Sequence, residues 1–156
     1  MNLESARKKY RYIKRTGQII LRQSRTRPDL IGCALGTLTK NGYVEMKVEG
    51  KSVLLHRFAW FLVTGKWPVE LDHRDTVRNN NRWRNLRDAT RSKNRANSKV
   101  GKNNKLGVKG VRVQQKGLYE ARFKQKSLGY FRRIDLAAAA YATAAKKHFG
   151  EFARVK

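Results

Sequence analysis

Thirty-seven lysines and arginines stand against eleven aspartates and glutamates in this 156-residue chain, a formal net charge of +26. Self-repulsion on that scale opposes a compact monomer unless something anionic binds it. Nucleic acid is the natural partner, because each neutralised phosphate releases a condensed counterion. Hydrophobic residues still make up 40% of the chain, which argues for packed domains over a disordered basic tail. The length suits one medium domain or two small ones. No apolar run approaches the ~18 residues of a membrane span. No basic helix shows the broad apolar face of a membrane-surface binder. The opening residues, MNLESARKKYRYIKR, hold no apolar stretch of signal-peptide length. One cysteine, Cys33, excludes an internal disulfide and a multi-cysteine zinc site. The expectation is a cytoplasmic protein that needs no membrane and no protein partner.

The patterning predicts an α+β fold. Tyr10 to Lys14 and Gln18 to Gln23 are β-prone runs around a Thr16-Gly17 turn. Three more strands are expected at Leu35 to Thr39, Tyr43 to Val48 and Ser52 to Leu55. Turns at Asn41-Gly42 and Glu49-Gly50-Lys51 separate them. HRFAWFLVTGKWP repeats apolar residues at helical spacing, and Gly65 and Pro68 end it. Residues 89–98 read as a short basic helix capped by Thr90. The polar stretch 99–106 reads as a linker between residues 1–98 and residues 107–156. Beyond it, GVKGVRV, LYEARFK and SLGYF predict three strands, and Asp135 is the expected N-cap of an alanine-rich helix.

The chemistry concentrates in LDHRDTVRNNNRWRNLRDATRSKNRANS, residues 71–98. Phosphodiester hydrolysis needs a base for water and a cation at the scissile phosphate. His73 titrates near neutrality and suits the base. Asp72 and Asn94 offer hard oxygens suited to Mg²⁺ or Mn²⁺, and Mg²⁺ takes only one or two protein ligands. Other readings stay open. Asp72 and His73 could form an ordinary surface ion pair, Asp75 could replace Asp72 as ligand, and His56 could be structural or touch DNA. Asn79, Asn80 and Asn81 read as turn formers. Neighbouring strand residues point to opposite faces, so Asp72 and His73 share one site only where the strand bends or ends.

Asp72-His73, Asn85 in RNLRDAT and Asn94 in RSKNRAN resemble the HNH nuclease family, known for a ββα-metal fold. LLHRFAWFLVTGKWP is similar to a segment of its phage and intron-encoded branch, and the resemblance spans roughly residues 35 to 98. It implies His73 as general base, Asn85 as brace of the loop between two strands, and Asp72 and Asn94 as ligands of one divalent metal. Asn94 stands where the eponymous motif has His. The implied activity is a homing-type endonuclease acting on double-stranded DNA, with Arg78, Arg82 and Arg84 on nearby phosphates.

GVKGVRV, LYEARFK, SLGYF and DLAAAAYATAAKKHFGEFA, within residues 107–156, resemble the plant ethylene-response-factor type of DNA-binding domain. That family packs three antiparallel strands on one helix and lays the sheet in the major groove, which admits β structure. Lys109, Arg112, Gln114, Arg122 and Lys124 are the expected DNA-facing residues, with Tyr119 stacking or packing between them. Two rivals remain: a non-catalytic DNA-binding regulator and an RNA-binding or ribosomal protein.

Overall fold

The protein is described by a computed structural model over residues 1–155. Its contacts divide it into two compact units, Met1–Thr90 and Arg91–Lys156. Among the described residues the fold is mixed, small antiparallel sheets and four α-helices, the class the patterning predicts. Among the described residues no helix is long and apolar enough to cross a membrane.

The first unit opens with α1 (Leu3–Lys9), which the sequence reading did not anticipate. The Asn2 side chain caps it by accepting from the Ser5 N–H at 2.8 Å. Strands β1 (Tyr10–Ile13) and β2 (Gln18–Leu21) form a hairpin, and β3 (Ala34–Leu35) adds to β2. A second sheet contains β4 (Thr37–Leu38), β5 (Val44–Val48) and β6 (Lys51–Leu54), with β5 central. The expected single strand Leu35 to Thr39 is therefore split between two sheets. Gly36 causes the split: its φ is +117°, and a Cβ there would meet Val44 Cγ1 at 2.6 Å.

Helix α2 (Leu55–Thr64) follows β6 directly and stops at Gly65, whose N–H donates to the Phe61 carbonyl from a left-handed conformation. Its apolar face covers the core. Phe58 is fully buried, meets the Tyr10 ring edge-on at 5.2 Å, and packs with Ile19, Leu21, Met46 and Val48. Strands β7 (Leu71–His73) and β8 (Leu86–Asp88) then pair antiparallel, with Asp72 opposite Arg87 and His73 opposite Leu86.

The second unit begins with α3 (Arg91–Asn97), so the division falls ahead of this helix. Strands β9 (Val111–Gln115), β10 (Leu118–Phe123) and β11 (Lys126–Phe131) form a sheet with β10 in the middle. Helix α4 (Ile134–Phe149) packs on it through Ala137, which is buried with Ala121 and Val111. Alanine at both contacts lets the helix lie close to the sheet. Asp135 is not the N-cap: the helix starts at Ile134 with Arg133 at the cap position. Asp135 sits in the first turn and pairs with Arg133 at 2.6 Å. A carboxylate there still opposes the helix dipole favourably.

The β1–β2 turn is fitted against the loop between β7 and β8. Gly17 has φ +80°, and a Cβ on it would lie 2.5 Å from the Asn81 carbonyl carbon. Tyr12 donates its hydroxyl to the Asn81 carbonyl at 2.6 Å, and the Trp83 N–H donates to the Lys14 carbonyl at 3.0 Å. Gly17→Ala should therefore lose about 2–4 kcal/mol of stability, from backbone strain plus a clash with main chain that cannot rotate away. Denaturant unfolding measures this, and a loss under about 1 kcal/mol would contradict the close fit.

Candidate functional site

Strand β7 ends at His73, and the chain turns at once. The Thr76 N–H donates to the His73 carbonyl at 2.8 Å, and Thr76 takes a positive φ of 64°. Two side chains hold the loop that follows. Asn85 donates its amide to Asp75 Oδ1 at 3.0 Å and to the Asn80 carbonyl at 2.7 Å, and its Oδ1 accepts from the Asp75 N–H at 3.1 Å. Asp75 also accepts from the Val77 N–H at 2.8 Å and from the Asn80 amide at 2.6 Å. Burial raises the Asp75 pKa, but these hydrogen bonds outweigh it and leave it below the ordinary carboxylate value. Both Asp75 oxygens thus work inside the loop.

His73 is buried, and its Nε2 lies 3.1 Å from Asn81 Oδ1. Asn81, 3% exposed, is a partner that the sequence reading passed over as a turn former. The only signal for it was its place as third residue of an asparagine triplet. An amide oxygen can only accept, so this contact favours the tautomer with its hydrogen on Nε2 and its lone pair on Nδ1. Burial lowers the His73 pKa, opposed by the Asn81 bond and by Asp75 and Asp72. The imidazole is therefore neutral at neutral pH, the form that accepts a proton.

Beside His73 stand two further rings of the same unit, with the cation Arg78 over one of them. His56, on the first turn of α2, meets it edge-on at 4.9 Å. Tyr43 stacks on His56 at 5.4 Å and lies 6.1 Å from His73. Arg78 sits 5.0 Å over the Tyr43 ring and donates to the Asn41 carbonyl at 2.9 Å. Arg82 and Arg84 are exposed beside the same loop.

Asp72 lies on the opposite pleat of β7 from His73 and is 4% exposed. Arg87, its cross-strand neighbour, holds its Oδ2 through Nε at 2.8 Å and Nη2 at 2.7 Å. Arg87 was absent from the sequence reading, although strand register alone places it opposite Asp72. Asn94 stands half-buried on α3, in the second unit. Among the described residues no three His, Cys, Asp or Glu side chains gather to hold a metal. A carboxylate oxygen and a carboxamide oxygen are hard donors, of the kind that suits Mg²⁺ or Mn²⁺ and not zinc.

In the second unit, Arg112, Gln114 and Arg122 converge on one buried carboxylate. Glu120 Oε2 accepts from Arg112 Nε and Gln114 Nε2, each at 2.6 Å, and its Oε1 is 3.9 Å from Arg122. Hydrogen bonds from Ser127, Arg112 and Gln114 keep the Glu120 pKa below its ordinary value, against the opposing effect of burial. Glu120 also escaped the sequence reading, although it is the lone acid of LYEARFK. Tyr119 does not join this face. It pairs with Val113 and Phe131 on the side that packs against α4. Lys109 is half-buried and donates to the Ala96 carbonyl at 2.8 Å, and Lys124 lies in the β10–β11 turn at φ 47°.

Two outcomes follow. Arg87→Met should leave Asp72 as a buried charge without its cross-strand partner, at a loss of about 3–5 kcal/mol in denaturant unfolding. Preserved stability would mean that the pair contributes little. Asn85→Ala removes three loop hydrogen bonds. It should raise amide hydrogen exchange across residues 75–80 while β10 and β11 exchange as in the parent.

No curated protein matches the sequence. A solved structure described as "DNA binding and cleavage by the HNH homing endonuclease I-HmuI" is similar to it. That likeness has 17% sequence identity and a TM-score of 0.46, and covers 96% of this chain and 90% of that one. Residues 53–96, the segment from β6 through α2 and the β7–β8 loop into α3, match the family model described as HNH endonuclease.

Proposed function

We propose that this protein is a metal-dependent endonuclease of the HNH homing type that hydrolyses phosphodiester bonds in double-stranded DNA in the cytoplasm. The reading rests on His73: a buried, neutral imidazole at a strand end, its Nε2 held by Asn81 and its loop braced by Asn85. Its Nδ1 takes a proton from water, and the resulting hydroxide attacks phosphorus. The bond from phosphorus to the leaving sugar oxygen breaks, and that oxygen gains a proton from solvent.

Asp72 and Asn94 would hold one divalent cation, Mg²⁺ or Mn²⁺. When bound it supplies charge stabilisation at the scissile phosphate and the leaving oxygen. Arg78, Arg82 and Arg84 contact phosphates near the cut. The C-terminal sheet serves as a duplex reader of the ethylene-response-factor type. Arg112, Gln114 and Arg122, oriented by Glu120, face base edges, while Lys109 and Lys124 meet phosphate.

One observation favours a second reading, a non-catalytic duplex binder: Arg87 already neutralises Asp72. Supercoiled-plasmid cleavage with and without Mg²⁺ separates the two. On the nuclease reading the parent cuts only with the metal, and His73→Ala lowers the rate about 10²- to 10⁴-fold with duplex affinity unchanged. A parent that binds duplex tightly and never cuts, with either Mg²⁺ or Mn²⁺, leaves the binder.

A further inference from the structure

His56 has no part in the proposed reaction, yet its ring meets the His73 ring edge-on at 4.9 Å. It is 5% exposed, and its Nδ1 is fully buried with no hydrogen-bond partner. A buried polar atom in that state destabilises a fold. Phenylalanine would fill the same space between Tyr43 and His73 without that penalty, and a ring contact alone does not call for nitrogen.

The two imidazoles have been given different tasks by their surroundings. His73 has Asn81 on Nε2 and acidic neighbours that favour a proton. Burial pushes the His56 pKa down to about 3, with the nearby charges of His73 and Arg57 adding to the fall. An imidazole carries a dipole where phenylalanine has almost none, and between two buried rings at this range that dipole acts on a polar neighbour.

We infer that His56 is a positioning residue for His73. Its nitrogen-bearing ring, held edge-on at 4.9 Å by the Tyr43 stack, orients the His73 imidazole. The inference rests on the nuclease reading for its consequence in the reaction, but the ring-to-ring pairing is measurable without it.

Two substitutions separate nitrogen from ring. His56→Phe keeps the ring and removes the orphan atom. It should raise the melting temperature yet lower kcat roughly tenfold, with KM for duplex within about twofold of the parent. His56→Asn loses the ring but keeps a polar group near the Nδ1 position, and should cut faster than His56→Leu. Nitrogen NMR of the His73 ring should show a changed tautomer balance in His56→Phe. A His56→Phe protein that cuts at the parent rate overturns the inference, as does His56→Asn no faster than His56→Leu. A parent that does not cut ends the nuclease reading. In that case an unchanged His73 spectrum in His56→Phe overturns the pairing, and a changed one upholds it.

Discussion

The site depends on the reciprocal grip between Asn85 and Asp75. A short two-stranded ribbon has little stability of its own, and the connection between β7 and β8 crosses a dozen residues with few apolar anchors. Such a loop would ordinarily sample many shapes. Here one carboxamide reaches three backbone or side-chain groups, and one carboxylate gathers three donors. The bonds close a polar core, and its members satisfy one another in place of water. Asn81 is delivered to His73 because this core, with the Tyr12 hydroxyl and the Gly17 turn against it, sets the path of the chain.

The pairing of Asp72 with Arg87 solves a different problem. A carboxylate nearly out of contact with water is tolerated only with a charged partner, and the antiparallel register supplies one on the same pleat. His73, one residue later, faces the other side. The two neighbouring residues thus face different partners: Asp72 the Arg87 guanidinium, His73 the Asn81 amide and the His56 and Tyr43 rings. The pleat of β7 separates them.

Features set by local rules were readable from sequence. The hairpin turns at Gly17, Gly42 and Gly50, the amphipathic α2 with its Gly65 stop, and the three C-terminal strands all follow from periodicity and glycine chemistry. The pair Asp72-His73 drew attention only with Asn85 and Asn94 spaced behind it, since an acid beside a histidine alone reads as an ordinary ion pair. What escaped required distant pairing. Arg87 and Glu120 gain meaning only from their cross-strand neighbours, and Asn81 only from a loop shape set elsewhere. Helix α1 is too short and too basic to leave a periodic signature. The break at Gly36 was hidden because a lone glycine between Leu35 and Thr37 reads as a tolerable strand residue until tertiary packing requires its positive φ.

Gly17 ties the first hairpin to the backbone at Asn81 so closely that there is no room for a methyl group between them. Ordering of the loop and folding of β1 and β2 are therefore one event. Fraying of the N-terminal strands would withdraw the support behind Asn81 and free the His73 ring to turn. An amino-terminal segment distant in sequence from His73 thus governs how long its imidazole keeps this orientation.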